Sequence, residues 1–495
     1  MNAKDTLPTA NAALLEMPFE GSERAAGLID ALNAFIHGEL ADLARAHGVD
    51  HENSASTDLL RQVWKLSHAR GFYGMTLPEA MGGAGLSVLD QVLVKEAIYA
   101  TGSPFAPHVL GELSGPPRIG ALIRKATPLQ MEQFILPVAR AEKSICFALT
   151  EAAAGSDAGA LETRAVLEGD HYVLHGRKRF ISGSPFADFA VLMASTAPEG
   201  SPQREISAFF VDLHAPGVQV VSGYKTMAGQ SSTGDIVLDG CRVPAAQLIG
   251  EPGRGLALAL GRITVNRLLH CPAMLGLAQV ALRDARDYAR GRQQFGRSIA
   301  QFQSIPHRLA DMATEWMAAR ALMVQTARAI DAGIDARAQA SMSKLFCSET
   351  AFRIADRAVQ IHGGEGIVQG RRVEFLFRML RMYRVLTGTS EIQRNTIAKV
   401  TGGDNRRADI TAKGDADIDA LSAQGYALYW HFSYFYSRNN FRKKDENIFP
   451  NMGDINILAL TKDAPPPDLP KIVDIDEDWN EAYQAFFKAR KAAAR

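Results

Sequence analysis

The sequence predicts an α+β protein: an N-terminal helical domain, a middle antiparallel β-domain, a C-terminal helix bundle and an unrecognised C-terminal extension. Three observations predict it. Apolar residues recur at helical spacing up to about residue 141, the period switches to short β-rich runs near Ser144, and long helical patterns return from about Gly253. The boundaries read as 1–143, 144–252, 253–403 and 404–495.

At 495 residues the chain exceeds one typical core, so two to four domains are expected. In the first, Leu28, Leu32, Phe35, Ile36 and Leu40 form one helical stripe, and Leu89, Val92, Leu93 and Ala97 another. Pro78 and the glycines at 82, 83 and 85 punctuate the pattern between them. In the second, Thr163–Leu167, His171–His175, Phe189–Met193, Ser207–Asp212 and Gly217–Val221 read as strands, with Ile236-Val237-Leu238 and Val243-Pro244 as the last strand and exit. In the third, helices are expected over 254–291, 300–332, 336–362, 372–384 and 389–401, joined by short connections as in an antiparallel bundle. Pro272 is expected to kink or break the first of these.

The extension has a different character. A polar linker (404–417) precedes Tyr426–Tyr436, which holds seven aromatics in eleven residues. A basic patch (Arg442, Lys443, Lys444), a triple proline at 465–467, an acidic run at 474–478 and an Ala/Lys/Arg-rich helix follow. The plain reading is a packing or subunit-contact appendage, since that many exposed aromatics would otherwise form a sticky patch.

Composition narrows the function. Lys+Arg and Asp+Glu balance at 54 each, giving no field for nucleic acid or an anionic membrane. Cys146, Cys241, Cys271 and Cys347 lack CxxC spacing, which argues against a metal cluster or disulfide framework and fits a reducing compartment. Neither a secretory signal nor a membrane-spanning helix is evident, so a cytoplasmic enzyme is expected.

Five stretches carry the chemistry. Phe147-Ala148-Leu149-Thr150-Glu151-Ala152-Ala153-Ala154-Gly155-Ser156-Asp157 precedes the β-domain. Lys178-Arg179-Phe180-Ile181-Ser182-Gly183 lies within it. Arg292-Gln293-Gln294-Phe295-Gly296, with Gln301-Phe302-Gln303, follows the first bundle helix. Gln360-Ile361-His362-Gly363-Gly364-Glu365-Gly366 ends a later one. A fifth, Tyr383-Arg384-Val385-Leu386-Thr387-Gly388-Thr389-Ser390-Glu391-Ile392-Gln393-Arg394, leads into the last.

Over roughly residues 25–403 these elements, in this order, resemble the acyl-CoA dehydrogenase family. The resemblance implies FAD as cofactor and an acyl-CoA or other acyl thioester as substrate. It places Leu149, Thr150, Phe180 and Ser182 around the flavin, with Ser156 toward the thioester tail, although Ala152-Ala153 replaces the usual Pro-Gly. Arg292 would grip the FAD diphosphate in the paired geometry a guanidinium favours, with Phe295 and Gln303 beside it. Gln360, Gly363 and Gly364 would let FAD approach the backbone, and Thr389 and Glu391 would lie on the flavin side. In the family the third and fourth stretches reach the FAD of a neighbouring subunit, which implies a homodimer or homotetramer; electron-transferring flavoprotein is implied as a partner.

One departure is conspicuous. Most members carry, just before Gly-Thr-Ser, the glutamate that removes the substrate's α-proton; here that position is Thr387, whose hydroxyl is too weak a base. The second position used in the family falls on Asn266, beside Arg267, which is expected to meet substrate. The Thr387 backbone N–H survives the change and can still polarise the thioester carbonyl. His270 shares a helix face with Asn266 and is the relocated-base candidate; a packed histidine is the competing reading. His108 and Glu112 are weaker candidates, and Asp311 reads as a helix-face group. Two functions therefore stand. One is an acyl-CoA dehydrogenase-type α,β-desaturation with hydride transfer to flavin N5 and a non-standard base. The other keeps the fold but performs a desulfinase-like elimination, a flavin-dependent oxygenation, or binding alone.

Overall fold

The computed structural model describes residues 19–401, apart from 114, 121, 199–200, 202–204, 228 and 230–231, and two strands beyond them. The chain divides into two compact units, Met1–Thr401 and Gly402–Arg495.

Helix α1 (Glu23–Phe35) starts where the Ser22 side chain accepts the Ala25 N–H, the usual way to satisfy a first-turn amide. A π-turn, Ile36–Leu40, continues it into α2 (Ala41–Ala46). The predicted stripe is the buried one: Leu32, Phe35, Ile36 and Leu40 are inside, and Leu28 packs against them. Ser56 caps α3 (Thr57–Ala69) and Ser87 caps α4 (Val88–Ala100) in the same manner. The short helices α5 (Ala106–Val109), α6 (Pro128–Gln130) and α7 (Leu136–Ala139) lead to the sheet.

The sheet contains β1 (Ile145–Ala148), β2 (Arg164–Glu168), β3 (His171–Ser182), β4 (Phe189–Ser195), β5 (Ile206–Asp212), β6 (Val218–Tyr224) and β7 (Thr233–Pro244). Its order is β1-β4-β2-β3-β7-β6, with β5 on the other side of β4 by hydrogen bonding. An all-antiparallel sheet was the expectation, and most pairings are antiparallel. However, β1 and β4 run parallel, Ile145 opposite Phe189, so the sheet is mixed. Residues 149–163 form an irregular crossover instead of a hairpin, which lets β2 restart in the direction of β1. Along β4, Val191 and Met193 face one apolar cluster while Ala190, Leu192 and Ala194 face another. Both faces are covered, so this strand is apolar throughout instead of alternating.

The bundle consists of α8 (Gly255–Gly291), α9 (Ser304–Asp331), α10 (Arg337–His362), α11 (Arg372–Met382) and α12 (Ser390–Val400), close to the predicted spans. The break expected at Pro272 is absent, because α8 is one helix through it. Its neighbours Leu268, Cys271, Ala273, Met274 and Leu275 are fully buried, and that packing offsets the lost backbone bond. Close approach of α4 and α8 depends on Gly276, where a Cβ would come within 2.6 Å of the Glu96 carbonyl oxygen. A single apolar core consequently runs through the N-terminal helices and α8–α11.

In the second unit the aromatic run forms β10 (Tyr426–Tyr434), paired antiparallel with β11 (Gly453–Thr461). The expected linker, basic patch, triple proline, acidic run and terminal helix lie outside the described residues, as does the N-terminal segment up to residue 18. Among the described residues no helix is long and apolar enough to cross a membrane.

Asp188 ties the helices to the sheet. It accepts from the Arg61 guanidinium (3.1 Å), the Ser144 N–H (2.8 Å) and the Ser144 hydroxyl (2.9 Å) while buried. Burial alone would raise its pKa, but Arg61 and Ser144 more than offset this and hold it below the ordinary value. A lowered native pKa stabilises the fold above the unfolded value of about 3.9, and that contribution disappears as pH falls through the native one. Asp188→Ala is therefore expected to cost about 3 kcal/mol at pH 7 by urea unfolding. Asp188→Asn should flatten the stability loss measured on acidification below about pH 4.

Candidate active site

The β-domain edge is organised around a buried ion pair that the motif reading passed over. Lys178 Nζ donates to Glu151 Oε1 at 2.6 Å and to the Leu149 carbonyl at 3.2 Å, and both charged side chains are buried. Glu151 also accepts the Glu162 N–H (2.6 Å), the Thr163 N–H (3.1 Å) and the Thr163 hydroxyl (2.5 Å). Burial pulls the Lys178 pKa down to about 8 despite Glu151, whereas Glu151, with burial opposing, is held below its ordinary value by Lys178 and these donors. The Arg179 N–H donates to the Thr150 carbonyl at 2.8 Å. Thus the structure brings the first two stretches together, with Leu149, Thr150, Phe180 and Ser182 on adjoining segments. Ser156 is exposed on the crossover.

Phe180 stands out on this edge. It is 52% exposed with φ of +58°, and its ring lies 5.1 Å from that of Tyr224. An aromatic held outward in a left-handed conformation is poor core packing and suits a planar ligand.

The second cluster surrounds the turn before α12. Thr387 and Gly388 both have positive φ, +55° and +87°, and threonine is β-branched, so the first is a costly conformation. Two residues that the sequence reading did not single out hold it. Lys344, fully buried on α10, donates Nζ to the carbonyls of Tyr383 (2.7 Å) and Gly388 (2.8 Å). Gln393 donates to the carbonyls of Thr387 (3.3 Å) and Gly388 (3.0 Å). With these carbonyls turned inward, the Thr387 N–H finds no acceptor among the described residues. Burial lowers the Lys344 pKa to about 8. Thr389 serves as the N-cap of α12, accepting the Ile392 N–H, and Glu391 is exposed in the first turn.

On α8, Asn266 and His270 are half-buried one turn apart, and the His270 ring is 6.4 Å from that of Tyr383. Arg267 donates Nη1 to Ser341 Oγ (2.9 Å) and Thr396 Oγ1 (3.4 Å). Of the weaker base candidates, Glu112 is engaged and His108 is buried with its Nδ1 unpartnered. Glu112 pairs with Lys95 Nζ (2.5 Å) and the Tyr99 hydroxyl (2.5 Å). His108 packs between Trp64 and Phe186, and burial lowers its pKa to about 4. Asp311 is exposed on α9.

The third and fourth stretches form a separate exposed face. Strands β8 (Gln293–Gln294) and β9 (Arg297–Ser298) form a minimal hairpin, with Phe295 and Gly296 both at positive φ as a type I′ turn requires. It holds Phe295 out at 92% exposure. His362 stacks on Tyr288 at 4.4 Å, one turn before Arg292, which brings the end of α8 against the end of α10 where Gly363 follows. Gly363 and Gly364 have nothing within 4 Å of a hypothetical Cβ. These open, small and polar positions fit a dinucleotide cofactor. Among the described residues no hydrogen bond, ion pair or ring contact joins this face to the β-domain edge. The only signal for Lys344 and Gln393 in the sequence was polarity at core positions, one turn from Ser341 and Thr396 respectively.

Comparison with known proteins matches three acyl-CoA dehydrogenase family models: the N-terminal domain over residues 22–142, the middle domain over 146–241 and the C-terminal domain over 253–402. The caffeyl-CoA reductase-Etf complex subunit CarC of Acetobacterium woodii is 37% identical over 331 residues, 66% of this chain and 86% of that protein. The butyryl-CoA dehydrogenase structure from Megasphaera elsdenii superposes with a TM-score of 0.70 at 28% identity, covering 78% of this chain and all of that one. The FAD complex of PigA covers the same shares at a TM-score of 0.69 and 25% identity.

Glu151→Ala would strand a buried ammonium and is expected to cost about 3–5 kcal/mol. Adding Lys178→Met should recover at least half of the loss in the urea midpoint; a double variant no more stable than the single one would remove the pair from this role.

Proposed function

Because this chain belongs to the acyl-CoA dehydrogenase family, we propose that it is an FAD-dependent oxidoreductase that desaturates the α,β bond of an acyl thioester with a base other than the usual glutamate. The observation that carries this is the Thr387–Gly388 turn, kept in its left-handed form by Lys344 and Gln393 although its side chain is neutral.

Bound FAD supplies the hydride acceptor. Leu149, Thr150, Phe180, Ser182, Thr389 and Glu391 are the residues to hold the flavin, and Arg292, Phe295, Gln303, Gln360, Gly363 and Gly364 those to hold the dinucleotide end. The Thr387 N–H is left free to receive charge developing on the thioester oxygen, where a fixed donor contributes most. Ser156 and Arg267 face the substrate. The α-proton passes to His270, the ionisable side chain one turn from Asn266 on α8.

Acyl-CoA is the substrate class this reading favours, in a homodimer or homotetramer whose exposed Phe295 face serves a neighbouring subunit. The Etf complex in the name of CarC supports an electron-transferring flavoprotein as partner. Four free, buried cysteines support the reducing cytoplasm. Neutral side chains at Thr387 and Asn266 favour a second reading, an elimination, oxygenation or binding function on the same fold.

The test is anaerobic mixing of the yellow protein with a panel of acyl-CoAs while following the flavin band. Bleaching supports desaturation; bleaching only by an external reductase supports oxygenation, and none at all leaves binding. His270→Ala is expected to slow bleaching by about 10²-fold or more, and Thr387→Glu to accelerate it by a similar factor, the usual contribution of a placed base. Unbranched glutamate also tolerates positive φ better than threonine.

A further inference from the structure

Arg267 has lost its counter-charge. Its Nε is buried without an acceptor, and its Nη1 donates only to two neutral hydroxyls. Among the described residues no carboxylate acts on it, and burial alone accounts for its lowered pKa. A second cation, Lys344, lies close enough to feel its charge. Of the carboxylates acting on Lys344, Glu349 is committed to Arg384 and Ser390, and Glu391 is exposed on the first turn of α12.

The position of Arg267 is equally telling. It follows Asn266 directly on α8. Its partner Ser341 is one turn from Lys344 and its partner Thr396 one turn from Gln393, the two residues that hold the Thr387–Gly388 carbonyls. The guanidinium is thus linked through Ser341 and Thr396 to the two helices that hold the Thr387–Gly388 turn, and the side chains at Asn266 and Thr387, where a relative would keep its glutamate, are both neutral. A half-buried cation without an anion is expensive, and it is relieved when a ligand brings the missing charge.

We infer that Arg267 is the seat for a carboxylate carried on the α-carbon of the acyl thioester, so that the substrates are 2-carboxyacyl thioesters. This inference rests on the thioester reading above, and for such substrates decarboxylation takes the place of proton removal by His270. With such a substrate no base is required. The bond from the α-carbon to the carboxylate breaks and releases CO2, and its electron pair stays on the α-carbon, delocalised to the thioester oxygen at the Thr387 N–H. The β-hydrogen leaves as hydride to the flavin, the oxidant. One anionic thioester and oxidised flavin give one unsaturated thioester, CO2 and the anionic reduced flavin, with no proton taken up or lost. Arg267 binds and orients the carboxylate, a charge-assisted pairing to which a guanidinium is well suited.

Malonyl-CoA and acetyl-CoA test the seat without turnover of the flavin, because neither has a β-C–H bond to oxidise. By calorimetry on the FAD-loaded protein, malonyl-CoA should bind at least about tenfold tighter. Arg267→Gln should abolish that ratio and Arg267→Lys keep part of it, with flavin content confirming that each variant is folded. Ethylmalonyl-CoA should then reduce the flavin anaerobically with one CO2 released per flavin. Equal affinity for malonyl-CoA and acetyl-CoA, or flavin reduction without CO2, would overturn the inference while leaving the dehydrogenase reading intact. If neither thioester binds, the thioester reading fails and this inference with it.

Discussion

The buried ammonium of Lys344 is the constraint on which the C-terminal half of the site depends. Removing a lysine from water costs several kcal/mol, and among the described residues no carboxylate contacts it, Glu349 and Glu391 acting only from a distance. Two carbonyls, from Tyr383 and Gly388, do what an anion would do. Because they belong to the two ends of one loop, the charge fixes the loop's span and turns its oxygens inward. Gln393 repeats the effect from α12. A threonine is thereby kept in a backbone conformation it would avoid by itself.

At the β-domain edge the same economy recurs with the signs balanced. Glu151 and Lys178 bury opposite charges, and the remaining oxygen sites of Glu151 are taken by the backbone of the crossover. Rigid placement of the Leu149–Thr150 segment and of Phe180 follows from one pair. The two halves thus differ in electrostatic character: neutral overall at the sheet, cationic at the turn.

Much of this was legible in the sequence. Helix spans in the bundle and the stripe on α1 followed from apolar periodicity, because burial on one face leaves that trace. The residues proposed for the flavin side came from the resemblance of short motifs to those of the family, not from periodicity. What escaped has physical reasons. Lys344 and Lys178 were not singled out, since one sequence cannot show that a charge is enclosed by distant carbonyls. Pro272 read as a kink or a break, and the break does not occur because tertiary packing on both sides of α8, which is not local information, overrides its local cost. The parallel pairing of β1 with β4 was hidden because the direction of a strand depends on an irregular crossover, not on strand composition. The structure also left His270 near Tyr383 while closing Glu112 into its own pair, a distinction set by contacts between helices.

The uninterrupted course of α8 has a consequence for spacing. Arg267 lies within the rod and Arg292 caps its end, 25 residues on by their numbers, which at the helical rise of 1.5 Å is about 38 Å. The rod therefore acts as a ruler: it fixes how far apart one subunit can present these two guanidinium-bearing positions, and a bend at Pro272 would have shortened that gauge.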